Sequence, residues 1–202
     1  RSRLLVGFLC DGDGLPRPLH GDAPSIYCYL PTAERSGLPF FIHGHFDVLV
    51  DRERLSRDSP WNRDLLSHVP SLIVHLVERL AAPFPEEREP LLRLLEALPL
   101  QRDVTDELFR DVVLAMDRLL GAMPCLPGAE TPLVAPRTGY IADKELLSLL
   151  RGLTPSAREL GLGDRPGPLQ AVDPALPARI LALAHDLGVP WLGLDNLLSL
   201  LE

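Results

Sequence analysis

Two histidines and an aspartate at alternate positions, in His43-Gly44-His45-Phe46-Asp47, form the sharpest chemical string in the chain. Residues two apart on an extended strand project from the same face, so a strand here would set two imidazoles beside a carboxylate. That donor set suits a divalent metal such as zinc, and through it a small metal-dependent hydrolase. His20, His68, His75 and His185 supply no second cluster. The preferred reading is a half-exposed strand with its polar residues facing water and no metal site, with the metal set of His43, His45 and Asp47 as the alternative. Asp11-Gly12-Asp13-Gly14 is expected to be a tight turn between strands rather than an ion-binding loop. The phosphate-loop pattern G-x-x-x-x-G-K-S/T and the nucleophile-elbow pattern G-x-S-x-G are absent.

The elements that must position these residues follow from periodicity. Arg3–Cys10, Ser25–Leu30 and Phe40–Val50 are rich in strand formers and bounded by Gly, Pro and Asp, and Gly44 marks a bulge or a close backbone approach. Ser59 followed by Pro60 is a helix start. Leu65, Leu66, Val69, Leu72, Ile73, Leu76, Val77 and Leu80 continue it at helical spacing, with a kink expected at Pro70. The Pro-rich link Ala82-Pro83-Phe84-Pro85 suggests a boundary, giving an α/β segment over 1–82 and a mostly helical domain over 83–202. Within the latter, 86–98 and 105–120 carry leucine-rich helical stripes and 124–136 suits a small hairpin around Gly128. Asp143 caps a helix to Leu150, 153–172 is irregular, 174–187 is a helix stopped by Gly188, and Asp195 caps a last helix to Leu201. The expected class is therefore α+β: a small N-terminal sheet with a packed helix, then helices with one short hairpin.

Composition narrows the function. In 202 residues, 20 basic and 28 acidic side chains give a net charge of −8, with Lys144 the only lysine. An acidic surface opposes the counterion release that drives nucleic-acid binding. With 46% hydrophobic residues there is material for a real core. The run Leu4–Leu9 is too short to cross a bilayer. It reads as a buried strand entered without an initiator methionine, so the chain is expected to be cut from a longer protein. Cys10, Cys28 and Cys125 are too few for a disulfide framework, and a reducing, cytoplasmic setting is expected.

Several strings taken together resemble a family. Ile26-Tyr27-Cys28-Tyr29-Leu30-Pro31-Thr32, Ser36-Gly37-Leu38-Pro39-Phe40-Phe41-Ile42-His43-Gly44-His45-Phe46, Asp51-Arg52-Glu53 and Pro60-Trp61-Asn62 are similar to the segment after the nucleotide-binding core in sacsin-like proteins. Those proteins carry a GHKL, heat-shock-chaperone-type ATPase. Ser36 and His43 replace the family's usual threonine and asparagine. Pro124–Pro127 through Val134–Pro136, and Asp195–Leu201, resemble stretches of bacterial relatives more loosely. The His43–Asp47 string, separately, resembles the opening of the metallo-β-lactamase pattern.

The sacsin-like resemblance implies a non-catalytic coupling or interaction segment of an ATP-dependent chaperone or remodelling protein. Its partners would be an upstream ATPase domain and protein clients, with no nucleic acid and no membrane. The family's ATP and Mg²⁺ ligands are not matched, so both cofactors would belong to the parent protein and none to this segment. Arg52 is the one residue carried over as catalytic: the family's Ser-Arg-Glu-like strand end implies an arginine directed at the γ-phosphate across a domain interface. The alternative for Arg52 is a structural ion pair with Asp47 or Asp58. Arg54 and Arg57 are expected to be bystanders in a polar link. A helical protein–protein adaptor is a further possibility if the leucine faces of 86–120 are exposed.

The charge balance makes one direct prediction. In a mobility-shift titration at physiological salt the protein should bind duplex DNA no better than background. A shift that weakens steeply with added salt would contradict it.

Overall fold

A computed structural model describes residues 3–20, 23, 25–51, 53–150 and 156–193. The chain divides into two compact units, 1–119 and 120–202. The class is α+β, as the sequence pattern indicates.

In the first unit, β1 (Leu5–Gly7), β4 (Ile26–Cys28), β5 (Leu30–Pro31) and β6 (Phe41–His43) form one sheet in the order β1-β6-β4-β5. β6 is antiparallel to β1 and parallel to β4, with Ile42 opposite both Val6 and Ile26. β2 (Leu9–Cys10) and β3 (Pro16–Arg17) make a separate antiparallel hairpin. Its Asp11–Gly14 loop is a true turn, because Asp11 Oδ1 accepts the N–H groups of Asp13 and Leu15 at 3.0 and 2.9 Å. The single strand expected over Arg3–Cys10 is thus two short ones with different partners.

The helices arise as their spacing predicts. α1 (Pro60–Ser67) is capped by Ser59, whose hydroxyl accepts the Asn62 N–H, with Pro60 in the first turn. Pro70 has no N–H to donate to the preceding turn, and the helix breaks at His68 before α2 (Val69–Ala81) resumes. α3 (Arg88–Glu96) packs on α2 and β3, and α4 (Glu107–Leu120) follows. The Ala82–Pro85 link therefore lies inside the first unit and not at its edge. Leu91, Leu94, Leu95, Leu98, Phe109, Val113 and Met116 are buried, so the leucine-rich faces of 86–120 are core. Gly37 shows how close the packing is. Its φ is +70°, and a Cβ there would lie 2.7 Å from the Asp103 carbonyl oxygen, so only glycine fits.

The second unit is less helical than expected. β7 (Leu126–Pro127) and β8 (Leu133–Val134) form the anticipated hairpin. β9 (Gly139–Tyr140) pairs in parallel with β10 (Gln170–Ala171), inside a stretch expected to be irregular. α5 (Lys144–Leu150) is capped by Asp143, whose Oδ1 accepts the Leu146 N–H at 2.7 Å. α6 (Ala178–Asp186) ends before Gly188 at φ +83°. Tyr140, Ala142, Leu146, Leu150, Ala157, Leu160, Leu169 and Leu192 form the core of this unit. The helix expected over 195–201 lies outside the described residues. Among the described residues, no helix is long and apolar enough to cross a membrane.

Cys125 enters β7 fully buried, and burial pushes its thiol from the ordinary 9.0 up to about 12. Cys10, by contrast, is exposed. At pH 8 a thiol reagent should label Cys10 readily and Cys125 only on unfolding, since the thiolate is the reactive form. A folded-state value above the unfolded one stabilises fully below pH 9 and is lost as pH rises from 9 towards 12. Denaturation midpoints measured across pH 8–11 should fall over that window, and Cys125→Ser should flatten the fall.

Candidate functional site

Beyond β6 the chain leaves the sheet and makes a narrow loop over residues 47–56. Val48 and Leu55 pair across its base, and the Leu49 N–H donates to the Arg54 carbonyl at 2.8 Å. The Ser56 N–H closes the loop on the Asp47 carbonyl at 2.9 Å. Near the tip, Asp51 Oδ1 accepts the Glu53 N–H at 3.0 Å, and the Glu53 carbonyl accepts the Ala33 N–H at 2.9 Å. Val50 is fully exposed and Leu49 is 41% exposed, an apolar tip offered to solvent. Arg52 lies outside the described residues.

Two buried polar side chains brace this loop. Asn62, in the first turn of α1, is completely buried. Its Oδ1 accepts the Asp47 N–H at 2.8 Å, and its Nδ2 donates to the carbonyls of Asp47 and Ser56 at 2.7 and 3.0 Å. The Ser59 hydroxyl donates to Asp47 Oδ2. On the other arm, Glu34 is buried and its Oε2 accepts the Leu55 N–H at 2.9 Å, while its Oε1 pairs with Arg57. Arg57 also meets Asp106 Oδ1 at 3.0 Å and lies over the Phe109 ring, 5.6 Å from its centre.

These contacts correct two expectations, the strand to Val50 and the bystander role of Arg57. Among the described residues no three His, Cys, Asp or Glu side chains are grouped where they could hold a metal ion, His43, His45 and Asp47 included. The phase was right, with Ile42, Gly44 and Phe46 buried and His45 and Asp47 exposed. The strand itself stops at His43, however, because the backbone of Asp47 is taken by Asn62. His45 stacks on Tyr29 at 5.0 Å and its carbonyl accepts the Trp61 Nε1–H at 2.7 Å; Asp47 is turned to Ser59. Around Gly44 there is close approach, since a Cβ there would meet Phe46 Cε2 at 3.1 Å and Leu4 Cδ1 at 3.3 Å. Arg57 is a structural brace and not a bystander. Arg54 is 64% exposed, with its guanidinium 3.8 Å from Asp51 Oδ2.

Asn62 stands in the Pro60-Trp61-Asn62 string that carries the family resemblance, but neither its structural role nor that of Glu34 follows from residue type. The available signal was Asn62 in the first turn of a capped helix, where a short amide competes with helical bonding unless it has partners elsewhere. Glu34 gave no such sign. Its buried state depends on Leu55 and Arg57, 21 and 23 residues away.

With this geometry in view, likeness to other proteins can be placed. A segment of the chain is similar to Protein NO VEIN of Arabidopsis thaliana, 37% identical over 75 residues, covering 36% of this chain and 3% of the relative. It is also similar to Sacsin of Homo sapiens, 31% identical over 83 residues, covering 37% of this chain and 2% of the relative. The chain thus matches only a small fraction of the length of either relative. No protein-family profile and no solved structure matches it.

Asn62→Ala would leave the Asp47 N–H and two carbonyls without their partner in a buried setting. It should cost about 3 kcal/mol in urea denaturation, the range for orphaned buried polar groups. Proteolysis under native conditions should at the same time cut preferentially within 47–56. A loss under half that size, with the loop still protected, would show that Asn62 does not hold the loop.

Proposed function

We propose that the chain is a coupling and interaction segment of a larger sacsin-like, ATP-dependent chaperone or remodelling protein, without a nucleotide site of its own. The observation that carries this reading is the 47–56 loop, fastened at both arms by buried side chains yet ending in exposed Leu49 and Val50. A loop that met only water would gain nothing from such bracing, whereas one that docks on another domain loses less conformational entropy when it is already ordered. The partial likeness to Sacsin and NO VEIN, both far longer than this chain, supports the same reading.

Within it, Arg52 is the residue that acts on the partner domain. The parent's ATPase domain would supply ATP and Mg²⁺. The guanidinium fork of Arg52 would meet the terminal phosphate only when the two domains close. An arginine suits that task because phosphoryl transfer spreads charge over oxygens that a planar, permanently charged fork can bind. A contact made only in the closed state contributes to the transition state more than to nucleotide binding.

The test is kinetic and uses the full-length protein. Arg52→Ala should lower ATP turnover by about a hundredfold while leaving ATP affinity nearly unchanged, the signature of a lost transition-state contact. Arg52→Lys should restore little, because a point charge does not reproduce the fork. Arg54→Ala is the control; Arg57→Ala is unsuitable because it strips the partner from buried Glu34. Intact turnover per folded molecule with a lowered melting temperature would make Arg52 an ion-pair residue and overturn the assignment.

A further inference from the structure

A groove of about 820 Å³ runs along the first unit between α1–α2 and the N-terminal half of α4. Its floor is apolar, with Leu66, Pro70 and Val112 packed into the core beneath it and Leu108 and Ala115 half-buried at its surface. On α1–α2 the lining residues 63, 66, 67 and 70 are spaced i, i+3, i+4, i+7, and on α4 the stripe runs from 107 to 115. One wall is thus built across the α1–α2 junction at His68 and the other is one face of α4, each spanning eight or nine residues, or roughly 12 Å. Two helical walls over an apolar floor leave a slot for a third helix, about 10 Å across.

The charges on the rims select the occupant. Arg57 is already neutralised by Glu34 and Asp106. On α4, Glu107 and Asp111 sit one turn apart and engage no ion pair or side-chain hydrogen bond among the described residues. On the opposite wall Arg63 reaches only the Arg57 carbonyl, at 3.2 Å. The groove is thus lined by two carboxylates without a side-chain partner and by one arginine whose partner is a neutral carbonyl. We infer that this groove binds a basic amphipathic helix, with Lys or Arg one turn apart along its α4 edge, an acidic residue toward Arg63, and leucine-like side chains on the floor. This goes beyond the coupling reading and does not depend on Arg52.

The probe is a fluorescein-labelled 14-residue peptide with leucines at helical i, i+3, i+4, i+7 spacing, lysines on one flank and one glutamate on the other. Fluorescence anisotropy with the whole chain should give saturable binding in the micromolar range. A scrambled peptide of the same composition should bind at least tenfold more weakly. Glu107→Lys with Asp111→Lys, both at exposed positions, should weaken the lysine peptide at least tenfold and favour a glutamate-for-lysine version instead. Ala115→Trp, which fills the floor, should abolish binding of both peptides. Circular dichroism and melting curves establish that each variant is folded. Equal binding of the scrambled peptide, or affinities untouched by these substitutions, would overturn the proposal. So would absence of saturation, or a dimer in sedimentation that Ala115→Trp dissolves, which would make a second copy the occupant. None of these outcomes bears on ATP turnover, so this inference and the Arg52 reading can fail separately.

Discussion

A carboxamide taken out of water must find partners for its donors and its acceptor, or the fold gives up the desolvation energy of each one left bare. In the first unit Asn62 meets this demand with backbone alone, bonding both polar groups of Asp47 and the carbonyl of Ser56. Those residues are the two ends of one loop, so a single side chain from α1 ties the loop shut. The Ser59 hydroxyl serves twice at the same place, accepting the Asn62 N–H as a helix cap and donating to Asp47. Helix start and loop closure are therefore one structure: without the cap, Asn62 would not stand where the loop needs it.

The second brace works by charge and burial. Glu34 is nearly inaccessible, and a buried carboxylate persists only when paired and hydrogen-bonded. It has both, the Leu55 N–H on one oxygen and Arg57 on the other. Arg57 is 42% exposed, so solvent screens part of the pairing, and its value lies as much in sparing Glu34 an uncompensated charge as in attraction. Asp106 completes the chain by accepting both Arg57 and the Leu108 N–H, which anchors the first turn of α4.

Local pattern explains what the sequence revealed. The break before Pro70, the Ser59 and Asp143 caps, the Gly188 stop and the hairpin around Gly128 each depend on residues within a turn or two of one another. Elements that depend on distant partners were not visible. β9 and β10 are two residues each and lie thirty positions apart, too short for any alternation to register. The strand expected to continue to Val50 failed for a related reason. Its alternation of buried and exposed residues persists to Asp47, but the backbone bonds go to a side chain from α1, which strand propensity does not register. The same limit hid the site: His43, His45 and Asp47 stood out by type, whereas Asn62 and Glu34 matter by position.

Arg57 joins the 47–56 loop to the start of α4. One of its guanidinium nitrogens holds Glu34, which holds the arm of the 47–56 loop at Leu55; the other holds Asp106, at the head of the groove-lining face of α4. From Leu55 through Glu34 and Arg57 to Asp106 the contacts are contiguous. One guanidinium thus fastens the Glu34 arm of the loop and the start of α4 at the same time, so a substitution at Arg57 releases both together. Because that side chain is 42% exposed, salt screens part of its pairing, and the two attachments weaken in step.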